Sequence, residues 1–339
     1  MWDLLPTGDD AMIAEAAREY LSGELPIERL RPNAPPVDLE KVRAGISELG
    51  WIGVGLPQSV GGSELGLVEE SLIQRECGRF LASPSILASV LGAHVAHHAG
   101  EPALTSAMIG GETSAALALL SRPEAVAHAS PVYAFDWNGR DLLLLWNDDG
   151  MGLFDADAFR DAASVECLDE SVSMHEGRLA LDRARCWVSA TKAPLAQRAQ
   201  VLLAARLVGL AGHACDLAVE YAKVREQYGR TIGTYQAVKH RCADMAVRVR
   251  LAWYQTNLAS LKVEAGAADA PLQVASAKLI AAQAAHENGR AGIQLHGAIG
   301  WQSECDAHWF LKRAFLYDQV GGAVSEQARR VIAEPSPLW

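Results

Sequence analysis

From Pro194 onward the sequence places apolar residues every three or four positions, and that pattern leaves little choice of architecture for the second half of the chain. Val201 to Val224 reads as one helix. Gln236 to Glu264 reads as another, with Val238, Cys242, Met245, Val249 and Trp253 along one stripe. Gly266 to Pro271 is a turn by composition, Leu272 to His296 is an Ala-rich helix, and two shorter helices complete the chain. Long helices joined by short links bury their stripes most simply as an antiparallel bundle.

Residues 1–112 are also predicted to be helical. Ala11 to Leu21 and Asp38 to Leu49 are short amphipathic helices, and Leu67 to Phe80 and Ser85 to His98 follow them. Leu56 to Gly62 is a loop by its Pro and paired Gly. Residues 113–190 change character. Val132 to Trp137, Leu142 to Trp146 and Arg178 to Asp182 read as strands, with Asn138-Gly139 and Asp149-Gly150 as turn signals. The expected fold is mainly α with a small β domain: a helical domain at 1–112, a reduced β domain at 113–190 and a helical bundle at 191–339.

Several function classes are disfavoured by composition. The 339 residues can build two or three cores, and a net charge of −11 argues against a nucleic-acid partner. The longest apolar run, Val201 to Val219, is broken by Arg206, His213 and Asp216, so no membrane span is expected. The first residues lack the features of a secretory signal. Six scattered cysteines without a CxxC pair read as reduced thiols of a cytoplasmic protein. His94, His97 and His98 lack a third kind of ligand nearby, so they are expected as core or surface residues and no metal is predicted. Gly53-Val-Gly55 is too little for a dinucleotide fingerprint. Glu69-Glu70 and Asp148-Asp149 are expected as solvated charges.

Two segments carry more information. Arg225-Glu-Gln227-Tyr228-Gly229-Arg230-Thr231-Ile232 follows a long helix and is succeeded by Gln236 and Ala243-Asp244-Met245. Gln294-Leu-His-Gly297-Ala298-Ile-Gly300-Trp301 lies downstream, with Glu304 after it. A guanidinium can hold a pyrophosphate by paired hydrogen bonds, and a glycine at a helix end can let backbone amides approach a phosphate. Taken singly, Arg225 is also a cation at a helix C-terminus and Gly297 a helix cap. In order and spacing the two segments resemble the C-terminal half of the flavin-dependent acyl-CoA dehydrogenases. Glu48-Leu-Gly50-Trp51, Pro57, Gly61-Gly62 and Glu70 resemble that family's N-terminal domain. The resemblance implies that Arg225, Gln227, Tyr228, Gln294 and Gly297 contact the ADP half of an FAD held mainly by a neighbouring subunit.

What the family would supply elsewhere is missing. Its proton-abstracting Glu stands in a late loop, where this chain has Gly321, or on the helix before the arginine run, where it has Ala199 beside Gln200. Asp318 and Glu304 are the nearest carboxylates. The flavin-facing segment is matched only by Leu120-Ser121-Arg122-Pro123-Glu124, of which the Pro alone fits. The Gly-x-Lys-x-x-Ile strand beside the flavin ring has no counterpart. The pattern is similar to that of actinobacterial acyl-CoA dehydrogenases of steroid side-chain breakdown, in which unlike subunits form an α2β2 tetramer. It implies a subunit without catalytic residues of its own, sharing FAD with a catalytic sister, with a bulky acyl-CoA as substrate and electron-transfer flavoprotein as acceptor. Two alternatives stay open: a self-sufficient homomer with a relocated base at Asp318 or Glu304, and a flavin-free acyl-CoA-binding scaffold.

Overall fold

The chain begins with α1 (Asp9–Glu24), α2 (Leu39–Glu48), α3 (Leu67–Arg79), α4 (Pro84–Ala99) and α5 (Pro102–Ile109). Seven strands follow: β1 (Ala115–Leu120), β2 (Ser130–Phe135), β3 (Leu142–Asn147), β4 (Gly150–Phe154), β5 (Phe159–Val165), β6 (Met174–Leu179) and β7 (Ala184–Ser189). The last part comprises α6 (Leu195–Val224), β8 (Glu226–Gln227), β9 (Arg230–Thr231), α7 (Gln236–Glu264), α8 (Ala270–His296), α9 (Ala307–Gln319) and α10 (Val324–Ala333). This computed structural model describes residues 8–121, 130–139 and 141–334. The fold is helical at both ends with a central sheet, as the sequence pattern predicts.

The molecule divides into two compact units, each discontinuous in sequence. The mixed unit comprises Asp38–Glu70 and Ser83–Ala199. Its sheet has the order β5-β6-β2-β1-β3-β4-β7, with β1 parallel to β3 and antiparallel to β2. Helix α4 is buried from Pro84 to Ala96 and packs on the central strands. Ser83 caps its N-terminus by accepting from the Ser85 N–H. Leu153, whose cross-strand partner is Leu144, faces Gly92 of α4. Leu143 and Leu145 point to the other side, where they join Val132, Ala134, Phe154 and Leu179. Both faces are therefore covered, and β3 shows four consecutive leucines instead of an alternation.

Three details of this unit correct the sequence reading. The strand expected over Arg178 to Asp182 is shifted: β6 ends at Leu179, and Leu181–Arg183 forms a 3-10 turn. Asn138-Gly139 links β2 to β3, which are not neighbours in the sheet; the tight hairpin is β3–β4, with Asp148-Asp149 at its tip. Glu70 is not a solvated charge but 2% exposed, whereas Glu69 accepts from the Gly66 N–H at 2.8 Å. Glu70 takes a hydrogen bond from His94 Nε2 at 2.7 Å, another from Arg198 and a third from the Gly55 N–H at 3.2 Å. Burial alone would raise the Glu70 carboxyl, but His94 and Arg198 outweigh it and hold it at about 2.

The helical unit comprises Met1–Val37, Ser71–Ala82 and Gln200–Trp339. Gly78 of α3 lies directly against the Arg206 backbone, and Gly209 of α6 against the Arg75 carbonyl, so the two helices meet backbone to backbone. Buried Arg206 donates to Gln74 Oε1 at 2.7 Å, to Tyr317 Oη at 2.6 Å and to the Ala82 carbonyl at 3.2 Å, which also accepts from Arg313 at 3.0 Å. Asn288 of α8 donates to the Ala211 and Met245 carbonyls at 3.0 and 3.1 Å, tying α6, α7 and α8 together. Among the described residues, α6 is the one helix long and apolar enough to cross a membrane, and 83% of its most apolar window is buried in the protein.

Candidate functional site

The arginine run folds into a small, well-braced finger. Helix α6 ends at Val224, and the Arg225 N–H still donates to the Tyr221 carbonyl at 2.9 Å. β8 and β9 then pair, and the Ile232 N–H closes on the Arg225 carbonyl at 2.8 Å. The turn between them is Tyr228-Gly229, with φ of +53° and +76°. Two positive φ values in a two-residue loop make the type I′ turn that suits strand twist, and Gly229 takes one of them freely. Tyr235 Oη donates to the Gln227 carbonyl at 3.1 Å, and the Arg230 guanidinium lies 4.1 Å from the Tyr235 ring centre. The side chains of Arg225, Gln227 and Tyr228 are exposed, Tyr228 by 94%. Among the described residues no carboxylate pairs with Arg225.

The second segment ends α8. Gly297 has φ +67° and ψ −144°, a backbone conformation close to glycine's own region. Its N–H is taken up by the Gln294 carbonyl. The exposed Gln294 side chain and the 3-10 turn Gly297–Trp301 remain as contact groups, with Trp301 60% exposed.

Two residues that the sequence reading did not single out join these segments. The Tyr221 ring, one turn before Arg225, stacks on the His296 ring at 4.3 Å and 25°. His296 is held in turn by Nδ1 at 2.8 Å from the Gly292 carbonyl. An aromatic four residues before Arg225 and a histidine directly before Gly297 were the available signals. The finger and the α8 terminus therefore share one end of the helical unit, and the N-terminus of α7 opens there too. Its N-cap, Tyr235, offers no side-chain acceptor, so the positive end of a 29-residue helix is uncapped. The C-termini of α6 and α8 carry the opposite polarity, and Arg225 and Arg230 offset it. Exposed guanidinium, amide and phenol groups beside a helix N-terminus form a donor set that fits an adenosine diphosphate.

The expected base position is closed by side chains of this same unit. Gly321 has φ +69°, and a Cβ there would stand 2.6 Å from Gln200 Nε2. Gln200 donates to the Gly321 carbonyl, and Gln327 donates to it at 2.9 Å. Lys278 Nζ reaches the carbonyls of Val320 at 2.9 Å and Gly322 at 3.3 Å. Burial pushes Lys278 down to about 8 against the pull of Asp318 and Glu326. This lysine was missed, although a lone Lys on the Ala-rich face of α8 was a readable anomaly. Asp318 is buried and accepts from the Val324 N–H at 2.9 Å, so it caps α10. Glu304 is exposed and takes a hydrogen bond from Ser303. Ala199 is fully buried. Of the flavin-facing stretch, Leu120 ends β1, and Arg122, Pro123 and Glu124 lie outside the described residues. No metal-binding group of three or more His, Cys, Asp or Glu occurs among the described residues.

Sequence comparison places these features in a family. The N-terminal domain of acyl-CoA dehydrogenases matches residues 7–111, and the C-terminal domain matches residues 185–336. FadE34 of Mycobacterium tuberculosis, named an acyl-CoA dehydrogenase, is 32% identical over 305 residues, which cover 86% of this chain and 42% of that protein. The matches span 42% of the length of the first two curated relatives. Among solved structures, the ChsE4–ChsE5 complex from Mycobacterium tuberculosis is similar with a TM-score of 0.80 and 20% identity, over 99% of this chain and 100% of that one. The Tcur3481–Tcur3483 steroid ACAD is similar with a TM-score of 0.77 and 22% identity, over 95% and 96%. At those identities the structures speak for the fold alone; the two domain matches and the likeness to FadE34 establish that the chain belongs to the acyl-CoA dehydrogenase family.

Proposed function

We propose that this chain is the non-catalytic subunit of a heteromeric, FAD-dependent acyl-CoA dehydrogenase, paired with a catalytic sister chain as α2β2. The observation that carries the reading is the Tyr221–His296 stack, which sets side by side on one chain the two exposed segments that the family resemblance links to the cofactor. Arg225 grips the pyrophosphate, with Gln227, Tyr228, Gln294 and the Gly297 turn along the rest of the ADP half. The flavin, when bound, accepts hydride as a CoA thioester gains its α,β double bond. This chain removes no proton, because Gly321 and Ala199 occupy the places of the family's carboxylate, and the sister chain supplies the base. A bulky acyl-CoA such as a steroid side-chain ester is the substrate. The likeness to a complex of two differently named chains and to a steroid ACAD supports both points. Electrons pass on to an electron-transfer flavoprotein, in the cytoplasm.

The test is the visible absorbance of the chain purified alone and after co-expression with a longer, Glu-bearing homologue. The expected result is no flavin alone and about one FAD per unlike pair together. A yellow, active protein from this chain alone would sink the reading. Arg225→Ala should drain flavin from the complex while leaving the melting midpoint of this chain alone unchanged. Full flavin retention in that variant would remove Arg225 from the site.

A further inference from the structure

We propose that the outer face of α7 chooses an unlike partner by charge, repelling a second copy of this chain and accepting a subunit with acidic groups in the matching positions. The inference rests on the heteromeric reading above and adds the device that enforces it.

The stripe of α7 that faces inward carries Met245, Ala252, Trp253 and Thr256, all buried. The opposite side is left open. Lys239, Ala243, Val247 and Leu251 follow one another at four-residue spacing, and Arg250 lies beside them. Val247 is 55% exposed and Leu251 is 58% exposed. The exposed charges among the first sixteen residues of the helix are Lys239, Arg241 and Arg250 against Asp244, three cations to one anion, while Arg248 is half-buried and donates to Asn288 Oδ1 at 3.4 Å. The finger adds exposed Arg225 and Arg230 against Glu226. In a protein of net charge −11 this is a concentrated positive region.

Apolar side chains more than half exposed in the middle of a stable helix fit a protein contact surface. The symmetry of that contact decides its occupant. Two copies of one chain meet most often about a two-fold axis, and such an axis sets the patch against itself. Each copy would then place its Lys239 and Arg250 against the same cations of the other. At about 0.1 M salt the screening length is roughly 10 Å, so charges in direct opposition across a contact are not screened away. An unlike subunit with Asp or Glu opposite the same strip covers the leucine and valine and neutralises the cations.

Sedimentation of the full chain tests this without knowledge of the natural sister. The triple reversal Lys239→Glu, Arg241→Glu, Arg250→Glu turns the α7 face from net positive to net negative at exposed positions. The wild-type chain alone and the reversed chain alone should both run as monomers in 50 mM salt. Their equimolar mixture should form a 1:1 pair, at least about tenfold weaker in 500 mM salt. The neutral variant Lys239→Gln, Arg241→Gln, Arg250→Gln should self-associate at 50 mM salt, which keeps the test open if the reversed chain does not fold. Three outcomes overturn the inference: a wild-type dimer at low salt, a mixture and a neutral variant that both stay monomeric, or wild-type chain captured by vesicles of 20% phosphatidylglycerol with no pair formed. The readout is mass, not flavin. A dimeric wild type whose complex with the sister still loses FAD on Arg225→Ala would reject partner choice by charge and leave the shared cofactor site standing.

Discussion

At Gly321 the backbone and a neighbour act together. The positive φ disfavours any side chain with a Cβ, and the space such a Cβ would enter is taken by the Gln200 amide. Gly321→Glu is therefore expected to lower stability by about 1–3 kcal/mol and to yield no acyl-CoA-dependent dye reduction, alone or with a sister chain whose own Glu has been removed. Thermal melting and a dye assay check it. Glu70 illustrates the opposite case of a carboxylate well served. Its pKa of about 2 lies below the ordinary 4.5, so the folded state holds the proton less tightly than the unfolded chain. Its contribution is complete above about pH 4.5 and fades as the pH falls toward 2. Burial also lowers His94, and it lowers His213 to about 4, so these rings resist the proton that the unfolded chain takes up below 6.5. The urea midpoint should be level between about pH 7 and 8, decline from about 6.5 and fall steeply below 4.5, with Glu70→Gln flattening the last limb. An equally steep limb in that variant would refute the assignment.

Among the elements, the α3–α6 crossing is the most sensitive to a single atom. A methyl at position 209 would run into the Arg75 carbonyl, which belongs to a helix backbone and cannot rotate away. Gly209→Ala should cost about 2–4 kcal/mol in urea titration or prevent soluble accumulation, whereas Gly266→Ala, with open space around its turn, should cost about 1 kcal/mol for the positive φ alone. The helices were the legible part of the sequence because periodicity is a local signal; α7 begins and ends where its pattern does, at Gln236 and Glu264. The sheet was less legible. β1 is a continuous apolar run, β4 begins Gly-Met-Gly, and β5 is a polar edge strand with a bulge, so none shows a clean alternation. The site divides in the same way. Arg225, Gln227, Tyr228, Gln294 and Gly297 could be picked out as motifs. The contacts made by Tyr221, Lys278 and Glu70 depend on partners far away in sequence, which no window of neighbouring residues reveals.

On the reading proposed above, the molecule as a whole offers one side of a cofactor site and a surface to go with it. Since its contact groups form an exposed edge and not a pocket, 100 µM FAD should leave the melting midpoint of the chain alone unchanged, while the assembled complex should gain a few degrees from the same addition. Differential scanning fluorimetry separates the two cases, and a clear rise for the chain alone would contradict the shared site. The Arg225 finger is closed by its own chain, through the Tyr221 and Arg225 carbonyls and the Tyr235 hydroxyl, so its shape does not wait for a partner. This has a consequence for supply. On the shared-site reading proposed above, a pre-shaped half-site can be made and stored ahead of need, and in a cell producing both chains the amount of working enzyme would follow whichever chain is scarcer. Surplus copies of this one would stand as a colourless reserve, loaded only when the sister chain is made.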